Sequence, residues 1–200
     1  MQAVKELQAK NASKARAAKI KEARVSTADP DARVMRMSDG GFRPAFNVQL
    51  ATDVKSGVIV GVAVTNSVAD QGQALGMEQQ VAKRTGRHPK GYLMDAGFIN
   101  LEQITELKQN GIVIYAPPTA GQGAPKAKDS PEIANWRARM STEEGKEVYE
   151  HRFPTAELPN AQITARHGVR QFRIRGLSRT SSFMLLVVRT HNLLRWMALT

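Results

Sequence analysis

One carboxylate stands where chemistry would want it. In GYLMDAGF, residues 91–98, a short apolar run of Tyr92, Leu93 and Met94 ends at Asp95, and Ala96-Gly97 follows at once. An acid at the tip of a buried strand is held rigidly by the sheet, where it can bind a metal ion or face a reacting group. The same position suits an Asp that only caps a turn, and the residues alone leave both readings open. A second cluster is Tyr149, Arg152, Glu157 and Asn160: an aromatic, a base, an acid and an amide on one helical segment. Glu157 falls in the first turn after Pro154, where a carboxylate favours the helix dipole without any chemistry. If Glu157 instead faces Asp95, the two supply hard oxygen ligands. Mg2+ usually takes one or two carboxylates with water and phosphate, and Arg152 is then placed to grip a phosphate bidentately.

A third group is Arg166, Arg170, Arg173, Arg175 and Arg179. Their spacing suits a phosphate backbone, and it equally suits an ordinary basic surface. His88, His151, His167 and His191 make no pair at helical spacing, so no metal is assigned to them. Trp136 and Trp196 are expected to pack in the core.

The elements that must position these groups follow from patterning. Residues 46–50 alternate apolar and polar, 53–57 read as a hairpin turn, and 58–65 are β-branched, so two strands are expected to pair antiparallel. Residues 73–84 look helical and 85–90 form a basic turn. The Asp95 strand, a helix over 101–110 stopped by Gly111, and a strand over 112–115 come next. Pro117 to Pro131 is a loop, and its Gly121-Gln122-Gly123 lacks the ending of a phosphate loop. A helical stretch from 132 to about 151 is interrupted at Pro154, where a fresh helix can begin. Residues 173–175 suggest a short strand. Residues 181–199 suggest an amphipathic helix with Leu185, Val188, Leu193 and Trp196 on or near one face. Before all of this, 1–24 read as an exposed basic helix and 26–41 as turns.

The chain has 200 residues, no Cys and a formal net charge of +11. Disulfides and thiolate metal sites are excluded. The charge is uneven. Residues 1–24 carry seven Lys/Arg against two Glu, 25–157 carry fifteen against sixteen acids, and 158–200 carry seven Arg and no acid. Two basic ends on a balanced middle point to a polyanion, with solvated helices as the plainer account. No secretory signal is visible, and the longest apolar run, 183–188, is too short to span a bilayer. The chain reads as soluble and cytoplasmic.

Several blocks, in order, resemble the DDE transposases of bacterial insertion sequences. They are STADPDARVMRMSDGGFRPAFNVQLATD (26–53), VIVGVAVTNSVADQGQ (58–73), YLMDAGF, the Tyr149-Arg152-Glu157 segment, QFRIRGLSR (171–179) and HNLLRWMAL (191–199). The resemblance covers nearly everything from 26 to 199. It implies an α/β, ribonuclease-H-like mixed sheet with flanking helices. It also implies three acids that bind two divalent metals, Mg2+ or Mn2+. Asp95 matches the second acid and Glu157 the third. Tyr149 and Arg152 match the helix signature around that Glu, with Asn160 in support. The implied chemistry is in-line displacement at phosphorus between two metals. Water frees a 3′-hydroxyl, which then attacks target DNA. The implied partners are double-stranded DNA, as transposon ends and target, and a second copy or the full-length transposase. The implied location is the nucleoid.

One departure stands out. The family's first Asp lies in an Asp-Gly-Thr-like strand upstream of a helical insertion, and no equivalent precedes residue 26. That strand would lie in the middle of the sheet, between the 46–50 strand and the Asp95 strand. The expectation is therefore a basic helical piece of the insertion over 1–25, then the C-terminal part of the catalytic domain over 26–200. A metal ligand and a central strand are expected to be missing, and the chain is expected to be inactive alone. Asp29 and Asp31, in a turn, and Asp53, at a hairpin, are not expected to replace the ligand. The alternatives are a non-catalytic DNA-binding remnant, an inhibitor of the full-length transposase, or complementation by a strand from a separate reading frame.

Overall fold

Why short strands and helices alternate here is clearest at the parallel pair. The computed structural model describes residues 4–6, 8–9, 25–37, 39–118 and 123–200. Of the basic helix expected over 1–24, only 4–6 and 8–9 are described, and they are helical. The rest of it, and Gly121-Gln122, lie outside the described residues.

Among the described residues the strands are β1 (Arg33–Arg36), β2 (Phe42–Ala45), β3 (Asn47–Thr52), β4 (Ile59–Thr65), β5 (Gly91–Leu93) and β6 (Val113–Tyr115). The helices are α1 (Ala74–Thr85), α2 (Leu101–Gln109), α3 (Pro131–Ser141), α4 (Glu143–Glu150), α5 (Arg152–Ala165) and α6 (Leu177–Met197), with a short 3-10 turn at Ala96–Phe98. The strands form three ladders, each two strands wide: β1–β2, β3–β4 and β5–β6. The α/β class expected from the sequence is what the chain adopts. No described helix is long and apolar enough to cross a membrane.

The chain divides into two compact units. One lies within Met1–Val48, Val64–Val68 and Gln171–Met184. It holds the antiparallel β1–β2 hairpin, in register Arg33↔Ala45 to Arg36↔Phe42. Sequence reading had only turns across residues 26–41. Arg33, Arg36 and Arg43 hide the strand alternation, and Pro44 argues against a strand unless it sits at an edge. Gly40, at φ 81°, makes the hairpin turn. Ala32, Met35, Thr180 and Met184 are buried in this unit. Phe172 meets Phe183 edge to face at 6.2 Å.

The other unit comprises Gln49–Ala63, Ala69–Arg170 and Leu185–Thr200. β5 and β6 run parallel, Gly91↔Val113 to Leu93↔Tyr115, with α2 as their crossover. Asn100 caps α2 by accepting from the Glu102 N–H at 2.9 Å, and Gly111, at φ 76°, ends the turn. The buried core gathers Met94, Leu107, Ile112, Ile114, Trp136 and Met140. The Trp136 indole donates to the Ala116 carbonyl at 3.0 Å, which satisfies the one polar atom of that ring. Beside it, Arg137 and Asp129 form a buried ion pair at 2.8 Å.

Two expectations about helices need correction. The stretch from 132 to 151 is not one helix. It breaks at Thr142, whose hydroxyl caps α4 by accepting from Gly145 N–H at 3.1 Å. A Cβ at Gly145 would lie 2.1 Å from the Arg139 carbonyl, so the corner needs glycine. The fresh helix expected around Pro154 is α5: it begins at Arg152, and Pro154 sits in its first turn, where its missing N–H costs no bond. In α6 the buried positions are Thr180, Met184, Val187, Val188 and His191. Leu185, Leu193 and Trp196, expected on the covered face with Val188, are exposed, Trp196 by 62%. Trp196 is not a core residue; Trp136 is.

Candidate functional site

Asp95 follows β5 directly, at the N-cap of the 3-10 turn, with φ −71° and ψ 156°. The strand holds its backbone, since Met94 N–H donates to the Tyr115 carbonyl at 3.0 Å. One carboxylate oxygen, Oδ1, accepts the Ala96 N–H at 2.7 Å, and the other, Oδ2, lies 3.3 Å from Arg152 Nη2. The capping role and the pairing role therefore coexist in one side chain. Asp95 is 56% exposed and Arg152 26%, so the pair stands at the rim of the fold.

Tyr149 completes this corner. Its ring packs against the core cluster. Burial pushes its phenol above the ordinary value; Arg152 opposes the shift and Asp95 adds to it. At neutral pH the hydroxyl keeps its proton and can donate. The fold thus brings Asp95, Arg152 and Tyr149 together across 57 positions of sequence.

Glu157 makes no bond to that group. It is exposed on α5, and it makes no hydrogen bond or ion pair with a described residue. Five positions along a helix turn a side chain about 140° away from Arg152. Asn160, also exposed, donates to its own helix at the Ala156 carbonyl, 3.0 Å away. Among the described residues no three or more His, Cys, Asp or Glu gather in a way that could hold a metal ion.

The earlier acids have structural duties. Asp29 accepts the Gly176 N–H at 3.0 Å and Asp31 the Leu177 N–H at 3.0 Å, so both satisfy the start of α6. Asp53 accepts from the Ser56 N–H and hydroxyl, and these bonds hold its carboxyl below the usual range. Asp39 pairs with Arg43 beside the β1–β2 turn.

All five arginines of the basic stretch are exposed. Arg166 and Arg170 belong to one unit, and Arg173, Arg175 and Arg179 to the other. The strand expected at 173–175 is irregular backbone, in which exposed Arg173 and Arg175 alternate with half-buried Phe172 and Ile174. The alternation is there, but among the described residues no strand pairs with it.

Sequence reading did not give a role to His191, Asn192 and Arg195 of α6. Asn192 receives the Ile59 N–H and donates to the Ile59 carbonyl, both at 2.8 Å. Arg195 Nε donates to the Ser56 carbonyl, and His191 Nε2 lies 3.3 Å from the Gly57 carbonyl. The three grip the β3–β4 turn from more than 130 positions away. The available signal was the polar spacing i, i+1, i+4 inside an apolar helix.

Residues 126–197 match the family of the transposase DDE domain. The matched segment contains Tyr149, Arg152, Glu157, the five arginines and the α6 clamp; Asp95 lies before it. No curated protein matches the chain, and no solved structure does.

Proposed function

From a chain that carries the transposase DDE domain across residues 126–197, we propose a component of DNA transposition that engages duplex DNA but does not cut it unaided. The observation that carries this reading is the Asp95–Arg152 contact beside Tyr149, which joins an acid outside the matched segment to two residues within it. In this reading Asp95 and Glu157 are the chain's two catalytic acids, with Tyr149, Arg152 and Asn160 in support.

The resemblance implies Mg2+ or Mn2+ on those acids. The residues as arranged do not fit one. Both Asp95 oxygens are engaged, one by a guanidinium that already neutralises it. The described residues gather no group of three or more His, Cys, Asp or Glu that could hold a metal ion. A catalytic centre needs rearrangement at Arg152 and a further acid from outside the described residues.

The ladders support a matching account of the fold. A parallel two-stranded pair such as β5–β6 rarely stands by itself, because three or more strands are needed for independent stability. Among the described residues β3 and β5 each have one strand neighbour. A strand between them would complete a ribonuclease-H-like sheet and bring its own acid beside Asp95.

The test is plasmid nicking by the purified chain with Mg2+ or Mn2+. Nicking should stay at background. Strong nicking that Asp95→Asn abolishes would sink the proposal, because the acids present would then suffice. Duplex binding, by contrast, should weaken steeply with salt. Exposed Arg166, Arg170, Arg173, Arg175 and Arg179 favour the second reading, a purely DNA-binding protein. Binding that persists unchanged in Asp95→Asn and without metal is the outcome that would favour it.

A further inference from the structure

The clamp of α6 on the β3–β4 turn leaves a concavity that the strand-transfer reading does not use. It has a volume of about 190 Å3 and is walled by the turn, α5 and α6. Each bulk water occupies about 30 Å3, so the space admits one tetrahedral oxyanion with several waters. Its charged and titratable lining is Lys55, His151, His191 and Arg195, and no Asp or Glu lines it. Thr155 and Gln162 add polar groups from α5.

Arg195 and His191 are held in place by the turn. Arg195 is half-buried, anchored through Nε to Ser56, which leaves its terminal nitrogens for another partner. Gly57, at φ 68°, lets the guanidinium lie against the turn: a Cβ there would sit 3.0 Å from Arg195 Nε. His191 is 3% exposed and held at the Gly57 carbonyl. Its ring meets His167 edge-on at 6.4 Å. Burial is the main reason its proton affinity falls. The Gly57 carbonyl opposes that fall, and His167, Arg195 and Arg166 deepen it. The two arginines acting on His191, Arg195 and Arg166, are both cations. Like charges in a partly buried site repel one another, and an anion between them removes that repulsion.

We propose that this pocket binds a phosphate group, seated between Lys55 and Arg195 against the rings of His151 and His191. The phosphate is either free in solution or part of a DNA backbone; the chemistry of recognition is the same. The site is separate from the Asp95 corner and stands whether or not the chain ever cuts DNA.

Ring-proton NMR of the four histidines tests it, with the full chain titrated by sodium phosphate and, separately, by a short duplex, against sodium chloride at matched ionic strength. The His151 and His191 signals should move saturably while chloride leaves them in place. Lys55 is exposed and its ammonium makes no ion pair with a described residue, so Lys55→Gln should keep the thermal midpoint and weaken binding roughly tenfold, the worth of a charge-assisted bond. Response to phosphate supports the proposal with a free anion as ligand, and response to the duplex alone supports it with backbone phosphate. Signals that neither moves, that chloride moves equally, or that Lys55→Gln leaves responding with unchanged affinity would overturn it.

Discussion

The β5–β6 core and the α6 clamp lie in the same unit and are held by different forces. Around β5 and β6 the work is done by apolar burial, with Leu107 and Ile112 almost wholly excluded from water. At the β3–β4 turn it is done by hydrogen bonds from His191, Asn192 and Arg195 to the backbone of Ser56, Gly57 and Ile59. Burial tolerates substitution of like for like. A backbone gripped by side chains does not, because each lost partner strands a polar group. The contrast teaches where function can be added cheaply: the clamp already spends polar side chains on position, and its leftover cations face a cavity.

The comparison is sharpest at the ion pair beside Trp136. Asp129→Ala removes the carboxylate of a buried ion pair and should lower unfolding stability by about 3–5 kcal/mol. A loss near zero in a urea titration would mean that the core does not depend on that pair. Asn192→Ala takes two partners from Ile59, itself 3% exposed, and should cost about 2–4 kcal/mol. Hydrogen exchange should then speed up across the turn and not across β6.

His191 offers a smaller and pH-specific effect. Its folded proton affinity is lowered below the ordinary 6.5, so the unfolded chain binds that proton more readily. Its contribution to stability is complete above about pH 6.5 and declines as the pH falls through the window beneath. Urea midpoints at about pH 7.5 and about pH 5.5 should show that slope, and His191→Gln should flatten it. Smallest of all is Arg152→Gln. The Asp95 pair is substantially exposed, so stability should change by under about 1 kcal/mol. A larger loss would show the corner to be a structural post rather than a rim site.

Legibility followed the same divide. Helices α1 and α2 and the strands β4 and β6 came close to their observed bounds, because local apolar periodicity and glycine stops specify them. The β1–β2 hairpin was missed since its strands, RVMR and FRPA, carry three Arg and a Pro. The buried face of α6 was misread. Apolar and polar residues are mixed around this helix without one dominant stripe, and the choice of Met184, Val187 and His191 over Leu193 and Trp196 comes from what packs against it. The same limit applies to Asp29 and Asp31, whose partners lie over 140 positions downstream.

By itself the chain's sequence determined the α/β class, the exposed basic arginines and the placement of Asp95 at a strand tip, because these depend on neighbours within a few residues. Only tertiary structure decided that Arg152 meets Asp95, and that a histidine, an asparagine and an arginine of the last helix close on a distant turn. Side-chain direction around a helix and contact across long loops are set by packing, and packing is a property of the whole fold.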